Sequence, residues 1–270
     1  MKKSIVLLTL FSAIFLMILP VSCKEEEEDG DAPVETGSVQ FTVRGCSFNM
    51  QIVQGGTFTM GATSEQGTHD PGSNEYPTHQ VTLSDYLIGE TEVTQELWIS
   101  VMNGDDPATN IGLNKPVETV SWNDCNTFIT RLNQLTGEHF RMPTEAEWEY
   151  AARGGAFHSG YKYSGSDSVA NVAWYCENSD YSTHPVKQKQ PNALGIYDMS
   201  GNVHEWCSDI YELYPETAQT NPRGAENGPE HIIRGGAYLN TTNYCRVSYR
   251  FYYCPSQKSS YVGLRLAMSK

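Results

Sequence analysis

Charge is scarce in this chain of 270 residues: Asp, Glu, Lys and Arg make up only 19% of it. Positive charge is scarcer still, with 18 Lys and Arg against 32 Asp and Glu and a net charge of −14. Beyond Lys2-Lys3 the basic residues form no cluster. That excludes nucleic-acid binding, because neutralising phosphates takes a basic patch or stripe. Long apolar runs are missing after the extreme N-terminus, so no internal segment reaches the roughly 20 residues that cross a bilayer. From Ser38 onward there is no linker, internal repeat or low-complexity stretch, which reads as one domain. Long amphipathic stretches are few as well. What is present instead is 23 Gly, 13 Pro and 11% aromatic residues. The aromatic content is too high for a disordered chain, and the Gly- and Tyr-rich spacing points to a loop-heavy fold.

The N-terminus reads as an address. Met1-Lys2-Lys3 precedes an apolar run from Ile5 to Leu19, shorter than a membrane span and shaped like a signal-peptide core. It ends at Pro20-Val21-Ser22-Cys23, which resembles a bacterial lipobox, although Pro20 stands where Leu is usual. Residues 1–22 are therefore read as a lipoprotein signal peptide, with Cys23 as the lipidated first residue of the mature chain. An ordinary secretory signal with an incidental Cys is the alternative. Residues 23–37, opening with Lys24-Glu25-Glu26-Glu27-Glu28-Asp29, form an acidic tether and look like the export tag of surface lipoproteins in certain Gram-negative anaerobes. The expectation is an outer-membrane lipoprotein, exposed at the cell surface and touching the membrane only through its lipid.

Short strands are expected at Phe41 to Val43, Met50 to Val53, Phe58 to Met60 and Val81 to Ile88, with Gly55-Gly56 as a turn. Three helices are expected. Thr94 caps one running to about Met102. Ser121 precedes a second, from Trp122 to Leu135, in which Cys125, Phe128, Ile129 and Leu132 recur at three and four and Gly137 is the stop. Thr144 with Glu147 three residues on forms a capping box for the third. Glu145, Glu147 and Glu149 then read as capping and helix-surface carboxylates. After Gly155 the chain reads as turns and short strands. His69, His79, His139, His158, His184, His204 and His231 are scattered without metal-ligand spacing.

Several strings resemble the formylglycine-generating sulfatase-modifying-factor family, a branch of the C-type-lectin-like fold. They are Gly55-Gly56-Thr57-Phe58-Thr59-Met60-Gly61, Glu92-Val93-Thr94, and Arg141-Met142-Pro143-Thr144-Glu145-Ala146-Glu147-Trp148-Glu149-Tyr150-Ala151-Ala152-Arg153-Gly154-Gly155. Asn192-Ala193-Leu194-Gly195-Ile196-Tyr197-Asp198-Met199-Ser200-Gly201-Asn202-Val203-His204-Glu205-Trp206, Arg234-Gly235-Gly236 and Val262-Gly263-Leu264-Arg265 complete the set. The resemblance implies an α+β domain over residues 38–270, low in regular structure, with short antiparallel sheets and about three helices. It does not by itself imply the founding activity. The resembling enzymes oxidise a substrate cysteine with a pair of cysteines that hold Cu(I), and soft thiolates are what select that ion. Here Asn240 stands at the first of those positions and Cys245 at the second, so no copper and no catalytic residue are expected. The iron-dependent relatives draw a His cluster from an extra helical domain that this chain lacks. The resemblance also implies a structural Ca²⁺ held by the Asp198 and Glu205 side chains with the Gly201 and Val203 carbonyls. Hard oxygen donors on a tight turn suit that ion, and a plain hydrogen-bonded turn is the alternative. Asn171 and Val172 resemble half of a second such site.

Between Tyr238 and Tyr261 seven of 24 residues are aromatic and none is Asp or Glu. Tyr with Ser, Asn and Thr is the composition of a binding face, large rigid rings beside adaptable hydrogen-bonders. Core strands rich in Tyr are the alternative, but Tyr252 and Tyr253 in succession point to opposite faces, so at least one is expected to be exposed. The framework over residues 234–266 resembles the variable proteins of diversity-generating retroelements, whose randomised template adenines turn Asn codons into others. Leu239, Asn240, Thr242, Asn243, Tyr244, Tyr249, Phe251, Tyr252, Tyr253, Cys254, Ser259, Ser260 and Tyr261 fall in the reachable set, while Gln257 and Lys258 do not. The ligand-binding face is thus expected to comprise Tyr238 and these positions other than Cys254, which fits a chance product of diversification. Its partner would be a protein or glycan on another cell, a phage or a host. A sulfatase-directed oxidase or chaperone, and a structural subunit of an envelope assembly, are the rival functions. Apart from Cys23 there are six cysteines, Cys46, Cys125, Cys176, Cys207, Cys245 and Cys254. An even count outside the cytoplasm suggests disulfides of undetermined connectivity, and Cys207 with Cys245 is the expected pair.

Overall fold

A computed structural model describes residues 36–67 and 73–270; the expected signal peptide, Cys23 and all but the last residues of the tether lie outside them. The chain order is β1 (Ser38–Val43), β2 (Cys46–Val53), β3 (Gly56–Met60), β4 (His79–Leu83), β5 (Tyr86–Gly89), α1 (Gln95–Val101), α2 (Trp122–Thr136), β6 (Phe140–Arg141) and α3 (Glu145–Arg153). There follow α4 (Val169–Val172), β7 (His204–Ile210), β8 (Gln219–Thr220), β9 (His231–Arg234), β10 (Arg250–Tyr253), β11 (Val262–Leu264) and β12 (Ala267–Ser269). A five-stranded sheet runs β1-β2-β5-β12-β6, a four-stranded sheet β10-β9-β7-β11, and a three-stranded sheet β3-β4-β8. Pairing is antiparallel except for β11 with β7 and β8 with β4. This is the α+β, C-type-lectin-like architecture that the sequence implied.

The three expected helices begin where local chemistry places them. Thr94 accepts from Leu97 N, and Ser121–Asp124 and Thr144–Glu147 are both complete capping boxes. Each box satisfies two amide groups that the first helical turn leaves without partners. Gly137, at φ 79°, ends α2 in the left-handed conformation that glycine adopts freely. Helix α2 turns Cys125, Phe128, Ile129 and Leu132 into a core against α1 and the five-stranded sheet, with Phe128 stacked on Trp98 at 4.8 Å. Burying a side chain such as Phe128 or Leu132 contributes about 2–3 kcal/mol. A second core joins Trp148 and Ala152 of α3 to β3, β4, β7 and β9.

One expected strand is two. Val81 to Ile88 breaks at Ser84-Asp85, so that β4 and β5 enter different sheets. Groups distant in sequence satisfy the corner: Ser84 N donates to Asn221 Oδ1 and Gly55 N to Asp85 Oδ1, each at 2.9 Å.

Candidate functional site

The last stretch of chain leaves β9 through Gly235 and Gly236, both at positive φ. A side chain on Gly236 would begin 2.7 Å from Tyr244 O, so the close approach of these two segments requires glycine there. Thr242–Cys245 then forms a 3₁₀ turn before β10. Framework and display positions alternate through this stretch and have opposite fates. Arg234, Arg246, Arg250 and Arg265 are all at most 3% exposed, and each meets a buried carboxylate. Arg246 grips Glu75 with two bonds of 2.7 Å, and Ser248 Oγ donates to the same carboxylate. Arg250 grips Glu145 at 2.8 and 2.6 Å and lies over the Tyr214 ring. Arg234 donates to Glu149 at 2.5 Å, and Arg265 donates to Glu205 at 2.6 and 2.9 Å.

Glu145 and Glu149 are therefore not the helix-surface carboxylates the sequence suggested. They face the interior from α3, and only Glu147 keeps the expected capping role, paired with partly exposed Arg141.

The candidate face stands on this frame. Leu239, Asn243, Tyr244 and Phe251 are exposed, whereas Asn240, Thr242, Tyr249, Tyr252, Tyr253, Ser259, Ser260 and Tyr261 are half-buried. Tyr238 is the exception among the expected contact residues. It is 4% exposed, and its hydroxyl meets Asn110 Nδ2 and Ser260 Oγ at 3.4 and 3.3 Å, so it supports the face from below.

The rings form a continuous band. Tyr244 meets Tyr249 edge-on at 4.9 Å, Tyr249 tilts over His204 at 6.4 Å, and His204 meets Tyr261 at 6.2 Å. The Tyr261 and Tyr253 hydroxyls bond to each other at 2.6 Å. Phe251 lies edge-on to Tyr253 at 5.6 Å and stacks on Tyr252 at 5.3 Å, and Tyr252 rests on Tyr211 at 4.1 Å. Tyr252 and Tyr253 do take different surroundings, Tyr211 for one and Trp206 for the other, but both are half-buried and Phe251 is the exposed ring of this strand.

His204 is the residue that sequence reasoning passed over. It is buried at the centre of the band, and its Nδ1 accepts from Gly236 N at 3.2 Å. Burial pulls its pKa down to about 4, so the ring is neutral at physiological pH. Burial likewise pushes Tyr253 up to about 12, helped by the Tyr261 hydroxyl. Neither His204 nor Tyr253 therefore carries charge at physiological pH. A cleft of about 520 Å³ lined by Trp122, Arg141, Glu147 and Arg223 includes none of these residues.

Asn240, at the family's first cysteine position, accepts from Cys176 N through its carbonyl, and its side chain lies against buried His204. Cys245 is buried and its thiol is pushed up to about 12, chiefly by burial, so it holds its proton. The Cys207–Cys245 pair expected from sequence is not formed. Cys207 lies in the core between α3 and β7, whereas Cys245 lies in a separate small cluster with Tyr163, Val172, Ala173 and Tyr175.

The expected calcium turn brings three carboxylates together. Glu92 accepts from Asn202 Nδ2 and Val203 N, and its pKa is raised by burial and by Asp198 and Glu205. Asp198 accepts from Lys187 N at 2.8 Å through Oδ2, while Oδ1 is buried without a partner. Burial lifts its pKa to about 6, and Glu205 adds to the lift. Glu205 is committed, with Arg265 across both oxygens and Trp148 Nε1 at 2.6 Å on one. Arg265 thus faces three carboxylates, and Lys189 also acts on Asp198. Asp198 Oδ1 is the open donor here; among the described residues no group of three or more His, Cys, Asp or Glu side chains is arranged to hold a metal ion, so a Ca²⁺ would rest on Asp198 and the Gly201 and Val203 carbonyls. Glu205 would have to share its oxygens with Arg265.

Residues 42–270 match the sulfatase-modifying factor enzyme 1-like domain, and the chain belongs to that family. Among solved structures it is similar to variable protein 1 of Treponema denticola, with a TM-score of 0.78, 31% identity, and coverage of 86% of this chain and 99% of that one. It is 34% identical over 256 residues to the chaperone protein LppX of Paenibacillus barcinonensis, covering 76% of this chain and 88% of the relative. It is 38% identical over 173 residues to the formylglycine-generating enzyme of Streptomyces coelicolor, covering 57% of this chain. That match spans about half of the enzyme, 52% of its length. No described helix is long and apolar enough to cross a membrane.

Proposed function

We propose that this chain is a surface-displayed lipoprotein that binds a ligand, without catalysis, through the aromatic face at its C-terminal end. The observation that carries the reading is the sorting within one segment. Four framework arginines are sealed in buried ion pairs, while the expected contact positions between them, Tyr238 apart, are exposed or half-buried and their rings share one aromatic band. Such a face derives affinity from a few large rings rather than from charge, as at other interface hot spots. The likeness to a variable protein of Treponema denticola supports diversification of that face. The ligand is a protein or glycan presented by another cell, a phage or a host, and Cys23 carries the lipid that anchors the domain at the outer membrane. Asn240 in place of a thiol, beside a protonated Cys245, speaks against copper-dependent oxidation. Ca²⁺, held by Asp198 and the Gly201 and Val203 carbonyls with Glu205 shared, serves as a structural ion beneath the face.

Sequencing the gene and several kilobases on either side of it in closely related isolates tests this. The expected result is a near-copy of the codons for residues 234–266 beside a reverse-transcriptase gene, with differences confined to template adenines. Under this reading Arg234, Arg246, Arg250 and Arg265 stay fixed. An invariant 3′ end with no template beside it overturns diversification and leaves a fixed ligand site.

A further inference from the structure

Two cysteines from distant parts of the chain meet beneath residues 239–244. Cys245 closes the Thr242–Cys245 turn and is buried in the cluster of Tyr163, Val172, Ala173 and Tyr175, and half-buried Cys176 packs against that same cluster. The backbone joins them as well, since Cys176 N donates to Asn240 O at 3.0 Å. Cys176 is also the neighbouring group that adds to the effect of burial on the Cys245 thiol. Among the described residues the other cysteines lack such a neighbour. Cys46 and Cys125 share the large core, but Glu96 acts on one and Asp124 on the other rather than each on its counterpart. Cys207 lies in the second core and Cys254 is exposed just after β10.

We propose that Cys176 and Cys245 form an intramolecular disulfide that ties the turn at residues 175–178 to the Thr242–Cys245 turn and fixes the base of the 239–244 loop. The inference does not depend on what that loop binds or on whether it varies. The oxidant is the disulfide of a thiol–disulfide oxidoreductase or of a small molecule such as oxidised glutathione. The sulfur of half-buried Cys176 gives up its proton and attacks one sulfur of that disulfide, breaking its S–S bond and releasing one thiolate. The Cys245 sulfur then attacks Cys176 in the mixed disulfide, its proton passes to the medium, and the second thiolate departs. Two protein S–H bonds are lost, one S–S bond is gained, and the oxidant leaves as two thiols. The order follows from exposure: Cys176 is half-buried and the more exposed of the two, while the buried, protonated Cys245 is suited to the second, intramolecular step.

The test treats the full chain with oxidised glutathione, alkylates the remaining thiols, digests without reduction and maps the peptides by mass spectrometry. One linked peptide pair containing Cys176 and Cys245 is expected, and it disappears in Cys176→Ser. The proposal is overturned if both residues carry the alkyl group, if Cys176 stays a glutathione adduct, or if either is joined to another cysteine. Melting gives a second readout. Dithiothreitol should lower the melting temperature of the oxidised wild-type chain and leave Cys176→Ser unmoved. An equal response in both proteins overturns the proposal. Cys176→Ser leaves the fully buried Cys245 site intact, so the comparison does not turn on a folding failure.

Discussion

Two sets of residues share the stretch from Arg234 to Leu266 and live in different solvents. Arg234, Arg246, Arg250 and Arg265 sit in the interior, each against a carboxylate brought by another element. Leu239, Asn243, Tyr244 and Phe251, between them in sequence, face water. The difference teaches how a segment can be rigid in path and free in composition. Its course is dictated by groups that never reach the surface, so the side chains that do reach it carry little of the fold. A buried ion pair gives little net stability against an apolar replacement, but removing one partner strands a charge. The frame therefore tolerates change at its visible positions and almost none at its hidden ones.

The sharpest way to break this comparison is to strand a frame charge. Glu149 accepts from Arg234, Arg153 and Gly61 N. Glu149→Ala should cost about 3–5 kcal/mol in urea unfolding, and a loss below about 1 kcal/mol would mean that the frame does not hold the segment. Next in size is a pH effect at the same junction. Asp209 accepts from Glu145 N, and burial, then the Glu145 charge, lift its pKa to about 7. A carboxyl whose folded pKa is raised binds its proton more tightly when folded. Its contribution is therefore fully present below the unfolded value of about 3.9 and is lost as pH rises toward about 7. Stability should fall by up to about 1.4 kcal/mol per pH unit across that window. Asp209→Asn, which still accepts from Glu145 N, should flatten the slope, and equal slopes in both proteins would contradict the assignment.

Much of the frame's geometry was readable and its energetics were not. Ser121 with Asp124, and Thr144 with Glu147, are local signals, and both helices start there. The burial of Glu145 and Glu149 depends on Arg250 and Arg234, which lie 105 and 85 positions away. The available hint was their spacing of four along the face that also carries Trp148 and Ala152. His204 offered no pattern at all, being a single residue whose role comes from Tyr249 and Tyr261 closing over it. The break between β4 and β5 depends on Asn221, and the partner of Cys245 on a turn in another part of the chain. Local chemistry showed in the sequence; long-range pairing did not.

The Asp198–Glu205 turn meets the frame through Arg265 and offers a smaller effect. If Ca²⁺ binds at Asp198, adding it at about a hundredfold its dissociation constant to chelator-stripped protein should stabilise the fold by about 2.7 kcal/mol. That is a rise of several degrees in melting temperature, on the order of 2–4 °C per kcal/mol for a domain of this size. Asp198→Asn should abolish the increment, and no calcium response in the wild-type chain would leave a plain hydrogen-bonded turn.

The smallest expected effect is the most telling about the display positions. If the face is diversified as proposed, Asn is what an adenine-rich template would write at each of them, and Leu239→Asn, Tyr244→Asn and Phe251→Asn would each return a position to its template residue. All three residues are about two-fifths exposed, at 42%, 40% and 39%. Each substitution should change unfolding free energy by no more than about 0.5 kcal/mol. Tyr244 and Phe251 each lose ring contacts, to Tyr249 and to Tyr252 and Tyr253, so they should sit at the upper end of that range, with Leu239 below them. Far-apart sites add, and Leu239 should do so with the others. A triple variant that stays within about 1.5 kcal/mol of the parent, against the far larger loss for Glu149→Ala, would separate display from frame by measurement. A triple variant as damaged as Glu149→Ala would instead make the aromatic band part of the core, and the case for a freely variable face would fall with it.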